Sequence, residues 1–586
     1  MLYRRLPILC LLIATCLLFA PHNPAQQSNG SSSQKQTGTI TGHVINSAGE
    51  PLAGARVSAY QIQRDARPGS AIADNRGEFK IDGLAPGIYS VSASMPGYIN
   101  PQSLSLGRES FPYYHPGDSA TITLIKGGVI TGTVTGADGP LVGLGVFAIR
   151  VRDGEGRKVT ASLGRERHTD DRGVFRFYGL VPGAYTLCTA RPRMGAILPS
   201  AYDNDAPTFY PSATRDTAAE LEVREGDELT ADIRYRGEPG HAISGRIAKA
   251  NAGGGAYVTE PAVSITDVRN STELDNIGLS PGANLAFAFA GLPDGDYELA
   301  AGQYQPASGE RWQSPPLRVS VHGADVTGLV LSLAPPAAID GRLLVETDPK
   351  LECGKREDSL ARETMIWARR YEPQSKPGET KIEDRVSLSA TNHVTFAIPD
   401  AKGSFSLANL PAGAYRIDPR GLADGWYIRS ISKGLTDSPA AKAAVAKDGI
   451  SVKNGEHVNG LTVTITEGAA QLRGRITAAE AQTLPPRPAI YLVPAEPNSA
   501  ENVLRFYEAR ADGGAFNLNN VAPGNYWILA RSLEETESFM TSKSIRHDAA
   551  LRAKVQHEAE SIRKTITLKP CEQLADFNLP YSPATP

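Results

Sequence analysis

At 586 residues the chain is too long for one hydrophobic core, so several domains of about 100–150 residues each are expected. A formal net charge of -3, from 60 basic and 63 acidic residues, gives no electrostatic case for nucleic acid or an anionic membrane surface as partner. Glycine and proline are abundant, at 57 and 42 residues, while aromatics are modest at 7%.

Arg4 and Arg5 precede an apolar run from Leu6 to Ala20, then Pro21 and small polar residues. Charge, length and flanks make residues 1–25 a secretory signal peptide, too short for a membrane span. Export to the periplasm, the outer surface or the medium follows, with no transmembrane anchor after removal. Ile13-Ala14-Thr15-Cys16 is a degenerate lipoprotein box, so a lipid on Cys16 is the weaker alternative. Residues 26–37 are Gln/Ser-rich and read as a disordered tether. Beyond them lie Cys188, Cys353 and Cys571, enough for at most one intrachain bridge.

Five segments follow: 38–127, 128–239, 240–335, 336–467 and 468–586. Each opens on a short strand whose interior glycine is Gly42, Gly132, Gly245, Gly341 or Gly474. A glycine inside a strand costs stability unless something large packs over it, and a recurring Tyr or Phe is expected to fill the gap. Each segment then carries a strand–turn–strand unit, first seen from Asp74 to Val91. Phe79 and Ile81 alternate with charged residues, as a half-buried strand requires, and Tyr89 and Val91 do the same after the turn. The ring pairs are Phe79/Tyr89, Phe175/Tyr185, Phe287/Tyr297, Phe405/Tyr415 and Phe516/Tyr526, read as one core contact built five times. One turn position holds Gly83, Gly179, Gly291, Asn409 and Asn520, the two residue types that enter positive φ most easily. Four residues later stand Gly87, Gly183, Gly295, Gly413 and Gly524, where a type II turn would need glycine.

Each segment closes on two more short strands about a turn, as in Leu317/Val319/Val321, Gly323 and Val326/Leu329/Leu331. Joints of a few residues, such as Glu467-Gly468-Ala469-Ala470, favour an elongated rod. The fourth segment carries an insertion over 344–394, in which Thr364 to Ala368 reads as an extra strand. In the fifth, Leu551, Val555 and Ile562 fall on one helical face behind an Asp548 N-cap, predicting a short helix packed on its own sheet, with a partner-binding helix the weaker alternative.

The opening ITGxV, the turn from Gly49 to Val57 and the block TDxxGxFxFxGLxPGxY resemble the carboxypeptidase regulatory-like domain. That resemblance implies an all-β chain, a tandem array of five transthyretin-like (prealbumin-like) β-sandwiches related to Cna-B-type and starch-binding-like folds. It implies extracytoplasmic use and no catalysis, since in the peptidases this domain is accessory. Cna-B-type domains often carry a Lys–Asn isopeptide bond, but the matching strands here hold His43, Thr133, Arg246, Arg342 and Arg475. The starch-binding relation makes carbohydrate binding an alternative.

Catalytic motifs fail on inspection. His557-Glu558-Ala559-Glu560 matches HxxE, yet no histidine follows to complete a zinc site. In Gly278-Leu279-Ser280-Pro281-Gly282 the residue after Ser has no N–H for an oxyanion hole. Asp74, Asp170 and Asp400 read as turn caps in preference to calcium ligands. No cofactor or metal is expected. Tyr113, Tyr114 and His115 in the first segment, and Phe209 and Tyr210 in the second, form aromatic-Pro loops. They are the candidate contact surfaces, with packing as a lid on the sandwich end the equal alternative. The expected function is a non-catalytic structural, adhesion-like or envelope-interaction protein, with a cell-surface protein or polysaccharide as partner. Two alternatives stand beside it: carbohydrate binding through the loop aromatics, and an enzyme with its site in the fourth-segment insertion.

Overall fold

A computed structural model describes residues 38–581 apart from 63–67, 102–111, 157–158, 160–164, 190–201, 249–258, 270–271, 280–284, 307, 352, 354–362, 372–394, 435–444, 479–483, 485–487, 497–501, 512 and 534–543. The signal peptide, Cys16, the tether, Ser280 and most of the fourth-segment insertion lie outside those residues.

The chain is nearly all β, and one construction occurs five times. An opening strand lies between two partners in the first sheet of each module: Gly38–Ile45, Gly128–Gly136, His241–Ala248, Ala337–Glu346 and Ala470–Thr477. On one side it pairs antiparallel with the phenylalanine strand, Glu78–Leu84 in the first module and Ser404–Leu410 in the fourth. On the other it pairs parallel with the closing strand, Ser119–Thr123 or His457–Glu467. The second sheet is built on an antiparallel pair: Arg56–Gln61 with Tyr89–Ser94, and likewise Pro488–Pro494 with Gly524–Ser532. In every module the closing turn carries the chain between sheets, in the first from Tyr113–Tyr114, paired with Tyr89 and Ser90, to Ser119–Thr123. Leu317–Val321 pairs with the tyrosine strand of the second sheet, and Val326–Ser332 with the opening strand of the first. Each core is filled from both sheets, in the first module by Ile40, Val44, Phe79 and Ile81 against Val57, Ala59, Tyr89 and Val91. That is a β-sandwich.

The repeated residues explain why these elements form. Each interior glycine of the opening strand faces its phenylalanine directly across the antiparallel ladder: Gly42 with Phe79, Gly132 with Phe175, Gly245 with Phe287, Gly341 with Phe405 and Gly474 with Phe516. The ring tip lies where a Cβ would stand, and on the other side is a carbonyl oxygen of the closing strand. Phenylalanine, never tyrosine, takes this place. The tyrosine has a different partner. Its hydroxyl donates to the carbonyl four residues upstream in every module, from Tyr89 to Ala85 (2.9 Å), Tyr185 to Val181 (2.8 Å), Tyr297 to Pro293 (2.6 Å), Tyr415 to Pro411 (2.7 Å) and Tyr526 to Ala522 (2.6 Å). Both rings are core residues, but each answers to its own backbone feature, so the ring pair alone is not the repeated unit.

Gly83, Gly179, Gly291, Asn409 and Asn520 all have φ between 57° and 75°. The later glycines have φ of 147–157°, well beyond the value of about +80° for a type II turn. Glycine is needed there, for a more extended left-handed conformation than expected.

Two expectations are corrected. Met365–Tyr371 is not an extra strand: it pairs with Gly413–Arg420 as Arg56–Gln61 pairs with Tyr89–Ser94. The added strand of the fourth module is Trp426–Lys433, which lengthens the first sheet beside the closing strand. Nor do residues 38–581 run as a simple rod, because the chain returns so that the first module packs on the fourth. There Ile88, Met365 and Trp367 form one buried apolar cluster.

The helix runs Ala549–Ile562, with the Asp548 side chain accepting from Leu551 N. Leu551, Val555 and Ala559 lie in one apolar cluster with Ala489, Tyr491, Val493 and Leu529, on the outer face of the fifth module's second sheet. Cys353 and Cys571 form a disulfide between the fourth and fifth modules, and Cys188 is buried in the second. Among the described residues no helix is long and apolar enough to cross a membrane.

Candidate interaction surfaces at the module joints

In the second to fifth modules the left-handed turn that precedes the tyrosine strand faces the previous module. A Cβ on Gly179 would touch Ile99 at 3.4 Å, and one on Gly291 would fall 2.8–2.9 Å from the carbonyl oxygens of Asp205 and Asp203. In the fourth and fifth modules an asparagine stands at this turn and bonds the neighbour's backbone. Asn409 accepts from Arg311 N (2.7 Å) and donates to Gly309 O (3.2 Å). Asn520 donates to both Ala423 O and Trp426 O at 2.8 Å. In the first module, which has no module before it in the described chain, a Cβ on Gly83 would meet nothing within 4 Å. Positive φ explains Gly or Asn at this turn, and at Gly291 the neighbour's carbonyl oxygens also leave no room for a side chain. A largely buried ion pair between Arg215 and Asp267 (2.9 Å) adds to the joint of the second and third modules.

The two aromatic loops divide in their placement. Tyr114 packs on the first module's core, while Tyr113 packs beside the Ile88, Met365 and Trp367 cluster. His115 is buried, its Nε2 lying 3.3 Å from Glu363 O in the fourth module, while its backbone N–H donates to Asp118 Oδ2 (2.6 Å). Burial alone would push the His115 imidazole down. The Asp118 carboxylate, with help from Glu363, reverses that and holds it above the usual histidine value. Phe209 is buried in its own module beside Ile149, Cys188 and Ala213, and Tyr210 packs against that module's core. The first loop therefore meets another module of the same chain, and the second closes over its own sandwich.

Asp74, Asp170 and Asp400 each bond their own turn, Asp74 Oδ1 accepting from Arg76 N (2.8 Å) and Glu78 N (2.9 Å). Backbone donors therefore occupy Oδ1 of each carboxylate, as a turn cap requires. Among the described residues no group of three or more His, Cys, Asp or Glu is placed to hold a metal ion.

Residues 39–108 match the family model of the carboxypeptidase regulatory-like domain. Over those residues the first module is similar to the carboxypeptidase regulatory-like domain. The other four repeat its central strand pairings, as the ladders above show. Among solved structures, the Bacillus anthracis TIE protein is 16% identical over 51% of this chain and 51% of its own length, with a TM-score of 0.14. The chain thus spans about half of that protein. GBS52, the minor pilin of Streptococcus agalactiae, is 16% identical over 34% of this chain and 96% of its own, with a TM-score of 0.19. BcpA, the major pilin subunit of Bacillus cereus, is 11% identical over 51% and 99%, with a TM-score of 0.12. No curated protein matches the chain. Strand register and core composition, not these similarities, define the fold.

The sequence did not disclose which side chains the joints use. Nor did it reveal that Arg369, Asp418 and Arg420 of the fourth module meet Arg546 and His547 of the fifth around one cavity. No spacing rule links these residues, and only the packing of the fifth module on the fourth brings them together.

Proposed function

We propose that the protein is an exported, non-catalytic scaffold of the cell envelope or surface, a structural or adhesion-like module that holds an interaction surface in fixed geometry. The observation that carries this reading is the construction of the joints. Four successive modules each set a specialised turn against the one before, and the first module is buried against the fourth. Chains of independently moving domains need none of these contacts. A carbohydrate role for the loop aromatics has less support, because Phe209 is buried and Tyr113 and Tyr114 are packed against protein. The test is fractionation of producing cells, with protease added outside intact cells and a hydrolase panel on the purified chain. The scaffold reading expects protein in the envelope or medium and no turnover. Retention in the cytoplasm, or reproducible turnover lost on changing one side chain, would overturn it.

A further inference from the structure

The outward face of the fourth module's second sheet is unusual for a surface covered by neighbouring modules. Successive outward residues on Gly413–Arg420 are Arg416, Asp418 and Arg420, and those on Met365–Tyr371 are Met365, Trp367 and Arg369. The register sets Arg369 directly opposite Arg416, a like-charge pair that is unfavourable by itself. Met365 and Trp367 are taken up in docking the first module. Beside them, the charged part of the face forms the floor of a cavity of about 500 Å³, walled by Tyr113 of the first module and by Arg546 and His547 of the fifth.

We propose that this three-module cavity binds a small molecule through its carboxylate. The cavity volume suits a ligand of small-molecule size. Its walls carry Arg369, Arg420 and Arg546 against Asp418 and Glu508, which leaves one positive charge and matches a monoanion better than a doubly charged phosphate. Both acids already have donors: Asp418 Oδ2 accepts from Arg420 Nε (2.8 Å), and Glu508 Oε2 from Ile545 N (3.1 Å). Arg546 is braced, its Nε donating to Phe506 O (2.9 Å) and its guanidinium lying over the Tyr507 ring. A fixed guanidinium fork is the group best shaped to meet a carboxylate. Buried Nδ1 of His547 has no hydrogen-bond partner among the described residues. Burial and the nearby Arg416, Arg369 and Arg546 push this imidazole down to about 3, outweighing Asp418. A neutral ring then adds a hydrogen-bonding group without a second charge, and Tyr113 and Pro419 offer apolar surface to the body of the ligand.

The experiment is isothermal titration of the full mature chain with the monoanions glucuronate and lactate, with glucose as the neutral control and inorganic phosphate as the competing oxyanion. At least one carboxylate should bind at millimolar affinity or tighter, glucose should not, and phosphate should bind more weakly than that carboxylate. Arg369→Gln and His547→Gln should each weaken binding by about tenfold, one hydrogen-bonded contact's worth. Two variants on different modules, checked for unchanged thermal unfolding, separate loss of the site from loss of the fold. Absence of carboxylate binding at 10 mM (about 2.7 kcal/mol of affinity), binding unchanged in both variants, or a preference for phosphate would overturn the assignment. The scaffold reading stands or falls on localisation and turnover, so the two can fail separately.

Discussion

Replacing Gly341 by alanine tests whether the phenylalanine-over-glycine contact specifies the fold or merely accompanies it. A Cβ at this position would lie 2.5 Å from Phe405 Cζ, 2.9 Å from Phe405 Cε2 and 2.7 Å from Leu461 O. Relief requires the ring or the closing strand to move by about half an ångström or more, because both sides are occupied. Overpacking of this kind costs about 1–3 kcal/mol, while alanine in a strand regains about 0.5–1 kcal/mol over glycine. The net expectation is a loss of about 1–2 kcal/mol, local to the fourth module. Hydrogen exchange read by mass spectrometry over residues 337–346 and 457–467 measures it, since a five-module chain does not unfold as one transition. Phe405→Leu shortens the ring, so the double variant should show a favourable coupling of at least about 0.5 kcal/mol. A neutral or stabilised Gly341→Ala, as strand propensity alone predicts, would refute the reasoning, as would strict additivity.

Changing Tyr185 to Phe removes the hydroxyl that donates to Val181 O and leaves that carbonyl without its partner. The cost should be about 1–2 kcal/mol, read as faster exchange over residues 183–189. Asn520→Gly keeps the left-handed backbone but removes both hydrogen bonds to the fourth module. It should weaken the joint by about 1–2 kcal/mol and raise exchange near Gly425 without touching either core. His115 is held above its ordinary value in the folded protein, so its contribution to docking the first module on the fourth is complete below about pH 6.5 and is lost as pH rises through the raised value. Protection of the docked faces should therefore fall on going from mildly acidic to alkaline buffer, and His115→Gln should flatten that dependence. Reducing the Cys353–Cys571 bridge should loosen the joint of the fourth and fifth modules by about 2–4 kcal/mol, seen as increased exchange at that joint only.

The module was legible in the sequence because its signals are local. Alternation around Phe79 and Tyr89, and Gly or Asn at a turn, each report a backbone state within a few residues. The role of the tyrosine hydroxyl was hidden, since its acceptor is a main-chain carbonyl that any residue could supply. The Met365 strand looked like an addition because its module is padded by inserted residues, although its register makes it an ordinary member of the sheet. Least visible was the return of the chain. Ile88 and Trp367 are far apart in sequence and ordinary in type, and short joints constrain neighbouring modules without saying where the first and fourth will meet. The cavity beside that contact inherits the same invisibility, as does the pairing of cysteines 218 residues apart.

Hydroxyl-radical footprinting of Met365 and Trp367 in the intact mature protein bears most directly on a closed arrangement of modules. Met365 is fully buried and Trp367 is 2% exposed, with Ile88 of the first module in the same cluster. Both should resist oxidation in the native chain and react readily in Ile88→Asp. Oxidation of both in the unaltered protein, at the rate of freely exposed residues, would mean that the modules do not close on one another.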